Sequence, residues 1–418
     1  MSAPPATRGF SPLDDELALL PGRLTPRLVE EVVHLATWMP FTPAAKHLKR
    51  STRVDLSEPT VRRHTEAAGA AYVVVQTAAA ERILRDGPDA PCAPAAVVVS
   101  VDGAMVPLRH GVWAEAKTLV IGEVERPPAE ADLHTLSYFS RVCDAATFGE
   151  AAVVETHRRG VAAAEQVAAV VDGAEWIQGF LDVHCPDAVR ILDFPHAVEH
   201  LNQVGQAVLG AGTPEATAWL TAHRHTLKHD GPTDVLSALH SLVATHPAAE
   251  GWQEDVAYLE KRVAQMQYPT YAAAGWPLGS GVVESANKVV VEARLKGAGM
   301  HWARAQVDPM LALRNIVYND RWDEAWGQIT TELRAQEHQA RRARSRQRRL
   351  RAAGRPDRPC PELPSVAPDP TPVVAPAPVP LHAPGVAAAP KEAWWPAADH
   401  PWRRAWSTRR QAEQAHAA

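Results

Sequence analysis

Three acidic residues stand at positions where a protein can hold divalent metal ions. Asp102 and Asp172 each follow an apolar, β-rich run and precede a glycine, and Glu284 lies near the start of a later predicted helix. Carboxylates at strand ends converge where a sheet opens to solvent, and their oxygens suit hard divalent cations. Two such ions about 4 Å apart activate an attacking oxygen and stabilise the leaving oxygen of a phosphodiester. The pattern therefore predicts phosphodiester chemistry with two bound Mg²⁺ or Mn²⁺ ions.

The runs before these acids belong to an α/β pattern. An isolated Asp-Gly pair is usually only a turn, so the surrounding elements decide how the acids are interpreted. Strands are predicted at 96–103, 117–124, 135–143, 168–174 and 189–194, with helices at 148–161 and 176–183. Because the first three strands follow one another like a meander, the order predicts a mixed sheet with two Asp-Gly strand ends.

Helices are predicted on both sides of this sheet. Thr25-Pro26 and Thr42-Pro43 are typical helix starts, and Ser57 caps a third helix over 57–68 that precedes a longer one over 66–86. This spacing suits either a helix-turn-helix whose third helix enters the DNA major groove or a plain three-helix support domain. After residue 198, strand patterns give way to helices at 198–209, 214–228, 233–245 and 252–267, and then at 282–293 and 304–319.

These patterns predict six segments. They are a flexible N-terminus (1–23), a helical and possibly DNA-binding domain (24–94), the first part of a catalytic core (95–197), an all-helical insertion (198–275), the last part of the core (276–330) and an Arg/Pro/Ala-rich tail (331–418). The prolines and alanines of 356–401 cannot bury a core, so this part of the tail is predicted to be disordered.

Charge is unevenly distributed along the chain. The net charge of −5 comprises a tail with 15 Lys and Arg against 8 Asp and Glu, and a first part with a balance of −12. The arginine-rich run 341–358 is therefore either a segment that follows a DNA backbone or a solvated tail. Four cysteines without a C-x-x-C pair argue against a disulfide framework or zinc ribbon. No apolar run is long enough for a membrane helix, and residues 1–10 do not form a signal peptide, so a cytoplasmic protein with no membrane partner is expected.

Several strings resemble one family of enzymes. They are Val101-Asp102-Gly103-Ala104-Met105-Val106, Asp172-Gly173-Ala174-Glu175-Trp176-Ile177, Leu192-Asp193-Phe194-Pro195-His196-Ala197, Gly281-Val282-Val283-Glu284-Ser285 and Arg294-Leu295-Lys296-Gly297-Ala298-Gly299-Met300-His301-Trp302. Together and in this order they resemble the ISKra-type transposases of bacterial insertion sequences, which are related to the Mutator-like superfamily. The resemblance covers roughly residues 95–325, and the N-terminal helices match only in general character.

The resemblance implies a fold, an activity and a site. The fold is the ribonuclease-H-like mixed sheet of DDE transposases with an all-helical insertion, and the metal-binding catalytic acids are Asp102, Asp172 and Glu284. Asp193 and His196 match an auxiliary D-x-x-H element. Asp193 also ends a predicted strand and competes with Asp172 for the second metal position, or it forms a structural hydrogen-bonded pair with His196. Asp172 is favoured because it follows the fourth strand, where this fold places the second acid.

The implied activity is cutting the ends of a mobile element and joining the 3′-hydroxyl to target DNA, by a homo-oligomer on paired ends. Two other functions remain open: a ribonuclease-H-like nuclease without strand transfer, and a non-enzymatic DNA-binding regulator derived from a transposase. Since no G-K-[ST] follows Gly279-Ser280-Gly281, no nucleotide cofactor is predicted.

Six residues are candidates for DNA contact. Arg62 and Arg63 lie on the third N-terminal helix. Arg294, Lys296 and His301 could contact phosphates or could be a solvated helix end. Trp276 could stack on an unpaired base or could be a core tryptophan.

Overall fold

The computed structural model describes residues 20, 24–124 and 133–353. Within these residues the chain forms five strands, and helices surround them. The strands are β1 (Ala96–Pro107), β2 (Trp113–Val124), β3 (Leu133–Arg141), β4 (Gln166–Val171) and β5 (Val189–Leu192). The helices before and between them are α1 (Pro26–Trp38), α2 (Phe41–Thr52), α3 (Glu58–Asp86), α4 (Ala145–Arg158) and α5 (Glu175–His184).

The remaining helices follow β5. They are α6 (Phe194–Leu209), α7 (Pro214–His229), α8 (Pro232–Thr245), α9 (Gln253–Lys261), α10 (Tyr268–Ala273), α11 (Gly281–Ala286), α12 (Ala293–Leu295), α13 (Arg304–Tyr318) and α14 (Trp322–Ala353). A π-helical segment, Asn287–Glu292, joins α11 to α12. Single 3-10 turns occur at Arg109–Gly111, Val161–Ala163 and Val263–Met266.

The sheet is open and mixed, as the strand order along the chain predicts. Its spatial order is β3-β2-β1-β4-β5. β1, β2 and β3 pair antiparallel, whereas β4 lies parallel to both β1 and β5. The antiparallel half is joined by short connections and the parallel half by the crossover helices α4 and α5, as each kind of pairing requires.

The prediction that β1 ends at Asp102-Gly103 is wrong. β1 runs on to Pro107, because β2 pairs with it along almost its whole length, with Asp102 opposite Thr118 and Gly103 opposite Lys117. On its other side, β1 pairs with β4 only from Ala96 to Val99. Asp102 therefore lies inside a strand, just beyond the point where the parallel neighbour stops.

The two faces of the sheet are covered by different helices. Alternating residues of β1 and β4 pack on α6–α10, in a cluster that includes Val98, Val170, Leu201, Val235 and Tyr268. The residues between them pack on α4 and α5, in a cluster that includes Val99, Val171, Phe148, Ile177 and Leu181. The helical block after β5 is therefore packed onto one face of the sheet.

The N-terminal helices pack against the last helices of the chain. α3 is one continuous helix of 29 residues that joins the two predicted helices 57–68 and 66–86. No proline interrupts it after Pro59, and Gly69 lets α3 approach α13 closely, since a Cβ there would clash with the backbone of Pro309. Val33, Ala71, Leu313 and Trp326 belong to one buried cluster shared by both ends of the described chain.

The helix α14 continues past residue 331, where the sequence places the start of the tail, and carries the first part of the arginine-rich run. Predictions for 1–19, 21–23 and 354–418 lie outside the described residues. In the part of the chain that is described, no helix combines the length and apolar character needed to cross a membrane.

Candidate active site

Asp102 is held by hydrogen bonds to both carboxylate oxygens. Its Oδ1 accepts from the backbone N–H of Gly103 at 2.6 Å. Its Oδ2 accepts from Nδ2 of Asn287 at 2.9 Å. Asn287 begins the π-helical segment that follows α11, so the late helix is tied directly to the centre of the sheet.

The pKa of Asp102 is raised from its ordinary value of 3.8 to about 6. Burial is the largest cause, since a low-dielectric environment disfavours the charged form. Repulsion from Asp172 and Glu284 raises the pKa further, and the hydrogen bonds from Gly103 and Asn287 oppose the increase. The fold therefore brings Asp172 and Glu284 within electrostatic range of Asp102.

Asp172 follows β4 in a tight turn that the helical block holds in place. Its Oδ1 accepts from the backbone N–H of Ala174 at 2.9 Å, and its backbone carbonyl accepts from the hydroxyl of Tyr258. The next carbonyl, of Gly173, accepts from Nη2 and Nε of Arg262 at 2.5 and 3.2 Å. The guanidinium of Arg262 lies 3.6 Å from the centroid of the Tyr258 ring, so the two side chains form one clamp.

Gly173 is required by this clamp. Its φ of +80° is in the left-handed region, where residues with a Cβ are strained. A Cβ at this position would also clash with the Arg262 side chain. The Asp-Gly pair at 172–173 is therefore a turn, as the common interpretation of the dipeptide expects, and it also presents an acid.

Asp193 follows β5, and its carboxylate is used by the fold. The residue is 4 % exposed and caps α6, with Oδ2 accepting from the backbone N–H of His196 at 3.0 Å. Oδ1 accepts from the backbone N–H of Ser280 at 2.5 Å, which fastens the segment before α11. This arrangement matches the structural alternative for Asp193, although the bond is made to the backbone of His196 and not to its imidazole. Nδ1 of His196 lies 3.9 Å from Oε2 of Glu199.

Glu284 is exposed on α11, one helical turn before Asn287. The sequence interpretation missed Asn287, although a residue three positions from an acid on a helix is expected on the same face. It also missed Tyr258 and Arg262, for which the sequence carries no comparable signal, because the contact joins distant segments. Oδ1 of Asn287 is buried and has no hydrogen-bond partner.

The chemistry of this donor set fits Mg²⁺ or Mn²⁺. It consists of three carboxylates and the unpaired amide oxygen of Asn287, and hard divalent cations prefer oxygen ligands. Among the described residues, no three His, Cys, Asp or Glu side chains are placed closely enough to hold an ion as they stand. The acids are therefore grouped electrostatically but not gathered at ligand distances.

Two of the six predicted DNA-contact residues are buried. Trp276 is 7 % exposed within the core cluster on the sheet, which matches its interpretation as a core tryptophan. Arg294 is 2 % exposed, and its Nε donates to the carbonyl of Ala36 at 3.0 Å. The prediction of a solvated helix end at Arg294 is wrong, because α12 packs against the N-terminal helices.

The other four candidates differ in their surroundings. Arg62 and His301 line a pocket together with Arg294, whereas Arg63 is exposed on α3 and is absent from its lining. Nζ of Lys296 lies 2.5 Å from Oε1 of Glu292, in an i,i+4 pair on the same helical stretch. Three candidates from the two ends of the described chain therefore meet at one place.

A scan against models of protein families finds no match to the chain, and a search of curated proteins finds none either. The function is therefore inferred from the motifs of the sequence and from the geometry of the acids.

Proposed function

We propose that this chain is a DDE-type DNA transposase with a ribonuclease-H-like core, which cuts the ends of its element and joins the 3′-hydroxyl to target DNA. The observation that carries the proposal is the hydrogen bond from Asn287 to Asp102, which ties the helix of Glu284 to β1, next to the parallel strand β4 that Asp172 follows. The donor chemistry of the three acids is that of phosphodiester-cleaving sites with two divalent ions.

The sheet supports the ribonuclease-H-like assignment. The meander β1–β3 followed by the parallel strands β4 and β5 is the arrangement that the resemblance implies. The block α6–α10 occupies the position of the implied insertion, between β5 and the helix that carries Glu284. In this proposal the insertion also positions the second acid, because Tyr258 and Arg262 hold the turn of Asp172.

The acids would hold Mg²⁺ or Mn²⁺, which lowers the pKa of a bound water and neutralises charge on the phosphate. Asn287 orients the Asp102 carboxylate through its 2.9 Å hydrogen bond. Cleavage follows from attack of water on the phosphodiester, and joining follows from attack of the freed 3′-hydroxyl on a target phosphodiester. Neither step forms a covalent bond to the protein.

DNA is the proposed partner, both as element ends and as target, and a homo-oligomer would hold the paired ends. The protein is proposed to act in the cytoplasm without a nucleotide cofactor. Asp193 has a structural role in this proposal, since it is buried, caps α6 and accepts from the backbone N–H of Ser280.

The test is an incubation of the full chain with Mg²⁺ and DNA that carries the ends flanking its gene, followed by mapping of every product. Cleavage at the ends and covalent joining of 3′-ends to a second DNA are expected, and both should vanish in Asp102→Ala. Cleavage without joining would favour a nuclease. Binding without either reaction, or cleavage that persists in Asp102→Ala, would overturn the catalytic proposal.

A further inference from the structure

A pocket of about 290 Å³ lies where the N-terminal helices meet the segment that follows α12. Phe41 and Arg62 line it from α2 and α3. Arg109 lines it from the turn after β1, and Arg294 and His301 line it from the other end of the described chain. Three segments that are distant in sequence therefore contribute cationic side chains to one cavity.

Arg294 is a buried cation in the lining of this pocket. Its guanidinium lies 4.8 Å from the Phe41 ring centroid and 5.2 Å from that of Trp302. Nη2 is buried without a hydrogen-bond partner among the described residues. Burial and the nearby Arg314 lower its pKa to about 10. A buried guanidinium with an unused donor is unfavourable unless an acceptor is supplied.

The remaining lining is mixed in charge. Glu58 and Glu66 stand on the same helix as Arg62, and Nε of Arg62 lies 4.0 Å from Oε1 of Glu58. Burial raises the pKa of Glu66, while Arg62 and Arg109 oppose the increase. The pocket therefore offers cations to an anionic group and a half-buried carboxylate to hydrogen-bond donors. A site that binds only phosphate would not be stabilised by the carboxylates of Glu58 and Glu66, because like charges repel.

We propose that this pocket binds one unstacked guanine nucleotide of the DNA strand. Arg62 and Arg109 bind its phosphate, Arg294 donates to the O6 and N7 acceptors of the base, and Glu66 accepts from its N–H donors. Guanine is the base whose acceptor edge pairs with a guanidinium, and unstacked bases are commonly recognised through their edges and by aromatic or arginine planes. A volume at the lower end of ligand pockets suits one nucleotide and not a duplex.

The pocket is connected to the acids by one helical stretch. Asn287, which binds Asp102, and Arg294 lie seven residues apart in the run from α11 to α12, roughly 10 Å along a helix. The inference rests on the proposed function in one respect, namely that the nucleotide belongs to DNA.

The experiment measures binding of the full chain to labelled single-stranded oligodeoxynucleotides in EDTA, where no cleavage occurs. The probes are an oligothymidine and the same strand with one central dG. We expect the dG strand to bind at least fivefold more tightly than the oligothymidine. Glu66→Gln should reduce this preference to less than twofold, and Arg62→Ala should weaken binding of both strands about tenfold.

Arg63→Ala is the matched control, because it removes the same charge from the neighbouring position outside the pocket. It should change either affinity less than twofold, and all variants should keep the wild-type melting temperature within a few degrees. Equal binding of the two strands, or equal losses in Arg62→Ala and Arg63→Ala, would overturn the pocket. If the wild-type protein binds the dG strand selectively in EDTA but does not cleave element ends in Mg²⁺, the transposase proposal is rejected and the pocket is retained.

Discussion

Asp172 and Asp193 follow neighbouring parallel strands at the same edge of the sheet, yet their carboxylates are used differently. Both oxygens of Asp193 accept backbone hydrogen bonds, and the residue is 4 % exposed. Asp172 is partly exposed, and within the described residues only its Oδ1 accepts a hydrogen bond. Asp172 also repels the charge on Asp102.

The comparison shows that a position at the end of a strand does not by itself determine the function of an acid. Asp193 is nearly buried and fixes two backbone segments, whereas Asp102 and Asp172 are partly exposed and lie near other acids, where carboxylates can bind a cation. The same helical block supports both turns, since Tyr258 donates to the carbonyl of Asp172 and Tyr268 donates to that of Leu192. The backbone of the two turns is therefore held in a similar way, and the difference lies in the surroundings of the Asp172 and Asp193 carboxylates.

Asp102→Asn should have the largest effect on the rate of cleavage, because Asp102, like Asp172, is one of the proposed metal-binding acids. Loss of one acid is expected to reduce cleavage about 10³-fold or more, since the ions contribute several kcal/mol to the transition state. Rates are measured on DNA with element ends in Mg²⁺. Asn287→Ala, which leaves the acid in place, should reduce the rate less.

The same substitution should stabilise the metal-free protein at high pH. The pKa of folded Asp102, about 6, exceeds its ordinary 3.8, so the unfolded chain loses its proton first and stability falls as pH rises from 3.8 through 6. The full penalty is on the order of 3 kcal/mol. Urea unfolding in EDTA should show Asp102→Asn gaining about 1–3 kcal/mol over wild type at pH 8 and much less near pH 3.5. An equal gain at both pH values would contradict this cause.

Asp193→Ala should reduce stability most among the turn residues. It removes a helix cap and a buried acceptor of the Ser280 N–H, which together are expected to lower the free energy of unfolding by about 2–4 kcal/mol. Urea unfolding measures the change. Asp172→Ala is the control and should lower stability by less than about 1 kcal/mol, since it loses a single part-buried turn hydrogen bond.

Gly173→Ala should destabilise the Asp172 turn, because of its positive φ and the clash with Arg262. A loss of about 1–3 kcal/mol is expected. Gly279→Ala, beside Asp193, is the matched change. Its Cβ would lie 3.7 Å from Oδ1 of Asp193, an ordinary contact, and stability should change little. Thermal unfolding of both variants measures the difference. Equal losses of stability would show that the two glycines are under the same constraint.

The tyrosine pair gives the smallest change in stability and the sharpest contrast. Tyr258→Phe and Tyr268→Phe each remove one hydroxyl that donates to a strand-end carbonyl, and each should lower stability by about 1 kcal/mol. Only Tyr258→Phe should also slow cleavage, because only Tyr258 supports an acid that we propose to bind metal. A slower rate in Tyr268→Phe, measured on fully folded protein, would move the catalytic role toward Asp193.

The sequence predicts the sheet and its five strands well, because each strand is a short apolar run that ends at a turn signal. It misplaces the end of β1, since Asp102-Gly103 resembles a turn and only pairing with β2 shows that the strand continues. The burial of Arg294 could not be predicted, because the helices that cover it lie at the other end of the chain. Glu284 and Asn287 lie three residues apart on one helical stretch, so their proximity could have been predicted from the sequence.

The most direct test compares Asp172→Asn with Asp193→Asn, two substitutions that preserve size and remove one charge. Both proteins are assayed for Mg²⁺-dependent cleavage of element ends and for urea unfolding. The account predicts that Asp172→Asn keeps nearly wild-type stability and loses cleavage, whereas Asp193→Asn unfolds more easily and cuts DNA while folded. Cleavage by Asp172→Asn together with an inactive, fully folded Asp193→Asn would contradict the account and assign the second acid to Asp193.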